Sequence, residues 1–383
     1  MYKLIFGSVL VVAGVAMAFL AKPSIAEADS ESVLYSFSGG LDGANPNAGL
    51  VADHRGSLYG VTNGGGIYNL GVAFKIKMGR IRVLHSFGAT GDGFSPSCRL
   101  LMDAGGNLFG TTDGGGAGSL GTVFKLAPGN TYRVLHSFTG GSDGAGPVSD
   151  LIADASGNLY GTTTSGGAGN CGGGCGTVFK IAPNGHETVL YSFKDVSDGV
   201  NPKSGLVADG EGNLYGTTYD GGSQAGSVFK LTPAGEKIIL YSFTGGTDGA
   251  FPYAGVVMDG AGNLYGATQS GGLGFGLIYK LTPDGSETVL YAFKGGTDGT
   301  APSTDLIIDA AGNLYSVLIN GGLNGQVFEV APDGSKTNLH SFESPNDGST
   351  PLGALYQGPN GDLYGTTLYG TISGYGCVYK VTR

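Results

Sequence analysis

The feature that most limits how this chain can fold is a unit of about fifty residues that recurs seven times. Its clearest copy, residues 205–243, reads GLVADGEGNLYGTTYDGGSQAGSVFKLTPAGEKIILYSF. A closing phenylalanine marks each copy, at Phe37, Phe87, Phe138, Phe193, Phe243, Phe293 and Phe342, with successive intervals of 50, 51, 55, 50, 50 and 49 residues. Within the unit, short apolar runs at 205–209, 213–218, 227–232 and 237–243 are each bounded by Gly, Pro, Asn or Asp, the punctuation of β-strands. Between the first two runs lies Asp209-Gly210-Glu211-Gly212, where Asp can bond its own turn backbone and Gly can take positive φ, so a tight hairpin is expected. The almost wholly apolar first run suits an inner strand, and the alternating last run suits an outer one.

A single four-stranded unit cannot cover both its faces, so the copies must stack on one another. Radial stacking also removes exposed end units. The expected fold is therefore all-β, a seven-bladed β-propeller of four-stranded blades. The two ends of the repeat region agree with closure: the last copy stops one strand short, whereas residues 32–37 form a lone fourth-type strand. The N-terminal strand is expected to complete the C-terminal blade, giving one domain over residues 29–383. Seventy-six glycines and 13% charged residues would otherwise suggest low complexity, but the glycines fall at fixed repeat positions beside regular apolar runs.

The pattern GL-x-x-D-x-x-G-N-L-Y-G-T-T, followed by G-T-V-F-K-L and V-L-Y-S-F, resembles the GloVer-type tandem-repeat family over residues 32–383. Departures occur at Ser57-Leu58-Tyr59, Ser316-Val317 and Asp362-Leu363-Tyr364. The resemblance implies a β-propeller on an exported bacterial protein. It transfers no catalytic residue, because the family is recognised by its scaffold. A weaker likeness in the Asp-x-x-Gly-Asn-Leu-Tyr hairpin extends to streptogramin-lyase and gluconolactonase propellers.

Residues 1–28 differ in kind: Lys3, an apolar stretch over 4–21, then Lys22-Pro23 and the small-residue run Ser24-Ile25-Ala26-Glu27-Ala28. This reads as a secretory signal peptide, with an uncleaved membrane anchor as the alternative. A secreted, periplasmic or cell-surface protein without stable membrane insertion after cleavage is expected. Removal of Lys3, Lys22 and Glu27 moves the formal charge from -10 to -11. That balance argues against nucleic acid as a partner, and a monomer is expected.

Cys171 and Cys175 lie in the insertion that lengthens the third interval, and in an exported chain they read as a local disulfide. Zinc is the alternative, but no His lies nearby in sequence. Cys98 and Cys377 fall in separated blades and are expected to be unpaired. An Asp-Gly-x-x-Pro loop precedes every inner strand, led by Asp42, Asp92, Asp143, Asp198, Asp248, Asp298 and Asp347. Seven rim carboxylates could hold a divalent metal such as calcium, but Asp-Gly before Pro is also turn chemistry, and that reading is the stronger.

Function is better sought where the copies differ, since departures are not needed to build a blade. Just before the inner strand's first large apolar residue stand Gly49, Arg99, Asp150, Gly205, Gly255, Asp305 and Ala354. Arg99, Asp150 and Asp305, with Lys203 and Tyr253 nearby, are expected at the mouth of the central channel as a ligand-binding site. The alternative for Arg99 and Asp150, on adjacent blades, is a plain salt bridge. His85, His136 and His340 share an outer-strand slot with Tyr35, Tyr191, Tyr241 and Tyr291 and read as interchangeable packing residues. The third-strand lysines, broken only by Glu329, read as structural. No nucleophile elbow or metal-binding His motif is visible, so no catalytic residue is assigned. The leading expectation is an exported scaffold binding a protein, glycan or small molecule; the alternative is a propeller lyase or hydrolase with a polar or metal site at the channel.

Overall fold

A computed structural model describes residues 31–344 and 346–383; the signal segment lies outside the described residues. Among the described residues, seven four-stranded antiparallel sheets stand in a ring, a seven-bladed β-propeller. Blade IV is representative, with strands Val207–Ala208, Leu214–Thr218, Ser227–Leu231 and Lys237–Ser242 running from the axis outward. The inner strand is only two residues long, shorter than the apolar run that marks it. The backbone just before it is held by the neighbouring blade instead: Thr162 Oγ1 donates to Ser204 O at 2.9 Å, and Thr217 Oγ1 donates to Ala254 O at 3.0 Å.

The last blade takes Tyr356–Gln357, Leu363–Tyr369 and Cys377–Val381 from the C-terminus and Glu31–Ser36 from the N-terminus. The N-terminal strand pairs antiparallel with the C-terminal one, Glu31 opposite Val381 and Ser36 opposite Cys377, one residue earlier than the pattern suggests. Thr366 Oγ1 then donates to Ala48 O at 3.0 Å, carrying the interblade hydrogen bond across the seam.

The closing phenylalanines are what the blades pack on. Each meets the third-strand aromatic of the next blade edge to face, from Phe37 on Phe74 at 5.2 Å through Phe243 on Tyr279 at 5.1 Å to Phe342 on Tyr379 at 5.0 Å between ring centroids. These rings are fully buried, and such a pair adds about 1 kcal/mol beyond its area burial. The same ring explains the glycine of Leu-Tyr-Gly-Thr-Thr: a Cβ on Gly216 would lie 2.8 Å from Phe229 Cζ, and one on Gly161 would lie 2.7 Å from Phe179 Cζ.

Two faces result. The loop entering each blade bridges to the loop after its second strand, as in Ala44 with Gly64, Val200 with Asp220 and Thr300 with Asn320. Both longer loops therefore share one rim, the loop face, and the tight hairpins form the opposite hairpin face.

Candidate functional site

The position before each inner strand faces the axis, and the seven residues there set the channel's width. Neighbours crowd one another: a Cβ on Gly49 would lie 2.8 Å from Ala354 O and 3.2 Å from Arg99 Cδ, and one on Gly205 would lie 3.1 Å from Asp150 Cβ. Small residues at four positions make room for three charged ones. Arg99, Asp150, Lys203, Tyr253 and Asp305 all line one cavity of about 100 Å³ at the loop-face mouth. A second chamber of about 300 Å³, walled by Ile152, Val207, Val257 and Ile307, lies on the hairpin side. Arg99, Asp150 and Asp305 line both and so divide the channel.

Arg99 Nε pairs with Asp150 Oδ2 at 3.1 Å, and the Arg99 amide donates to Asp150 Oδ1 at 2.6 Å. The salt bridge between adjacent blades thus exists, and it sits at the mouth with 37% and 17% of the two side chains still open to the channel. Asp305 accepts from the Gly255 amide at 2.7 Å. Burial pushes the Asp150 carboxyl up to about 6, against the pull of Arg99 and with a further push from Asp305. Its charge holds the Arg99 guanidinium above its ordinary value. Lys203 Nζ lies 3.8 Å from the Tyr219 ring centroid and 5.1 Å from that of Tyr253, a cation held on two aromatic faces.

The sequence reading missed Tyr219 and the polar collar of Asn47, Ser97, Ser149, Ser204, Ser303 and Thr304. Asn47 Oδ1 and Ser303 Oγ are buried there with no hydrogen-bond partner among the described residues. The collar's signal, a Ser or Thr shortly after the loop proline, looked like repeat grammar.

The rim aspartates turn inward. Asp248 accepts from the Thr244 amide at 2.8 Å and from Tyr241 Oη at 3.2 Å; Asp298 accepts from the Lys294 amide at 2.8 Å and from Tyr291 Oη at 2.7 Å. Asp92 is bonded to His85 Nε2 at 2.8 Å. Tyr and His therefore share their slot because both can donate to the loop carboxylate seven residues on, which packing alone does not explain. Among the described residues no group of three or more His, Cys, Asp or Glu is placed to hold a metal ion.

Five of the third-strand lysines lie over the second-strand ring of their own blade, as with Lys75 at 4.8 Å from Tyr59 and Lys230 at 5.6 Å from Tyr215, while Lys380 pairs with Asp362 at 2.9 Å. Where Glu329 breaks the series, Arg383 from the last blade supplies the cation, 3.0 Å from Glu329 Oε2 and 4.4 Å from the Tyr315 centroid. Cys171 and Cys175 form a disulfide, and Cys98 and Cys377 are buried free thiols.

A family model for the Gloeobacter/Verrucomicrobia repeat matches residues 23–226 and again 209–383. The chain belongs to this repeat family. No curated protein matches it. Among solved structures, the repeat protein is similar to the extracellular domain of a candidate one component system from B. thetaiotaomicron, at 11% identity and a TM-score of 0.63. That match covers 93% of this chain and 40% of the other, so this chain spans less than half of its length. A candidate gluconolactonase aligns at 17% identity and TM-score 0.46, over 93% of this chain and 92% of its own. A luciferin-regenerating enzyme aligns at 14% identity and TM-score 0.47, over 93% and 95%. The first likeness shows the fold of this Gloeobacter/Verrucomicrobia repeat protein and nothing more.

Proposed function

We propose that this protein is an exported binding scaffold that meets a protein partner through its loop face. The observation that carries the reading is convergence: five residues that depart from the repeat, on five blades, come together at one channel mouth. At about 100 Å³ the mouth has room for one polar side chain or a small ion, well below the 300–1,000 Å³ of an ordinary ligand pocket. Around it the loop tips expose Ile67, Leu273, Leu323 and Ile372, at 71%, 62%, 79% and 96% of their surface. An apolar crown about a polar centre suits a protein surface that inserts one anchor side chain. No helix among the described residues is long and apolar enough to cross a membrane, and an extracellular domain shares the fold, both consistent with export.

The test compares cross-linked partners of residues 29–383, of Asp150→Ala with Asp305→Ala, and of Leu323→Ser with Ile372→Ser in the native extracellular fraction. One partner captured by the wild type and lost from both double variants is expected; equal capture by all three contradicts the reading. A lyase or hydrolase acting at the mouth is the second reading, favoured by Asp150, whose raised carboxyl could exchange a proton near neutrality. Metal analysis separates the two. A stoichiometric divalent ion lost on Asp150→Ala with Asp305→Ala favours the enzyme.

A further inference from the structure

A cluster of departures from the repeat outside the channel lies on the opposite, hairpin face, where blades VII and I flank a cleft of about 690 Å³. Four residues lining it break the blade pattern. Tyr356 stands in the inner-strand slot that holds Val51, Leu101, Ile152, Val207, Val257 and Ile307 elsewhere. Gly358 replaces the hairpin aspartate that accepts the second-strand tyrosine hydroxyl in blades I, III, IV, V and VI at 2.8–2.9 Å. Tyr364 is left without that acceptor, its ring 5.9 Å from that of Tyr356 and tilted by 42°. His54 occupies a hairpin position that is Ala or Gly in the five copies with the same turn.

The fourth departure is a strained one. The turn before blade I's outer strand is Met78-Gly79, with φ of 51° and 70°. Asn-Gly is the pairing such a turn favours, and a methionine in left-handed backbone costs about 1 kcal/mol. Met78 is nonetheless 91% exposed on the rim of this cleft. Nothing in the fold rewards that side chain.

We propose that this cleft is a binding site for a neutral oligosaccharide. Sugars combine CH-rich faces with hydroxyl edges, and the cleft offers two tyrosine rings and a thioether for the former. Its rim carries Gln357, His54 and Lys380, a mixture of donors and acceptors for the latter. The volume lies in the range of small-molecule sites, and the acidic chain disfavours a polyanion.

The test is calorimetric titration of the folded protein with maltotriose, cellotriose and triacetylchitotriose. Saturable binding of at least one is expected, weakened about tenfold by Tyr356→Val, which restores the residue other blades carry and so should fold. Met78→Asn should weaken the same binding while raising the melting temperature, an opposition that a purely structural role would not produce. Asp150→Ala with Asp305→Ala should leave it unchanged, so failure here is distinct from failure of the channel reading. Absence of saturable binding, or Tyr356→Val binding like the wild type, would overturn the proposal.

Discussion

Asp150 shows how one residue can stand outside the logic of its repeat. Four of the other six blades place Gly or Ala at its position, and a carboxylate there lies beside the axis, where burial raises it to about 6. The folded carboxyl thus holds its proton more tightly than the unfolded one. Its contribution to stability is complete below about pH 4 and is lost as pH rises through about 6. Urea midpoints between pH 4 and pH 7 should therefore fall less steeply in Asp150→Asn than in the wild type. Parallel pH profiles would contradict the assignment. The departures at Arg99, Asp150 and Asp305 were legible because the four remaining copies keep Gly or Ala there. The role of His85 and its counterparts was not, because their carboxylate partners become neighbours only once the loop folds back.

The junction between outer strands is the element that varies most in charge. In two junctions a lysine reaches the aspartate of the loop that joins its blade to the preceding one: Lys237 Nζ lies 2.8 Å from Asp198 Oδ1, and Lys336 Nζ lies 3.0 Å from Asp298 Oδ1. In three others the same strand position is Glu187, Glu287 or Glu31, each with a buried Oε1 that lacks a partner among the described residues. Burial, then the neighbouring Asp143, Asp248 and Asp347, push these carboxyls up to about 7, 6 and 7 respectively. Being raised, they support the fold below about pH 4.5 and cease to as pH climbs through 6 to 7. Glu187→Lys should copy the Lys237 junction and stabilise the protein by about 1 kcal/mol at pH 8, with little gain at pH 5. Melting curves at the two pH values check this; no gain at pH 8 would contradict it. Turn residues and apolar runs located the strands of blade IV and of the last blade within a residue or two, but not the brevity of the inner strands, whose lead-in backbone bonds to another blade.

At the scale of the whole molecule, the ring closes with the same parts it uses everywhere. Phe37 meets Phe74 at the same 5.2 Å that separates Phe87 from Phe124, so the seam joining the termini is built like an internal junction. Period and strand count foretold the seven blades, because a repeat that must bury both faces has few ways to do so. The hairpin-face cleft was not foretold, since Tyr356 and Met78 lie far apart in sequence and meet only across the seam. The central claim is that repeated residues build the propeller whereas departures serve binding. Its most direct test is the melting temperature of Arg99→Gly, Asp150→Gly and Asp305→Gly combined, which returns the channel to the repeat's own small residues. The account predicts a value within about 3 °C of the wild type, or higher, since a half-buried ion pair and an extra carboxylate are removed together. A fall of about 10 °C or more would show that these charges hold the ring together and would contradict it.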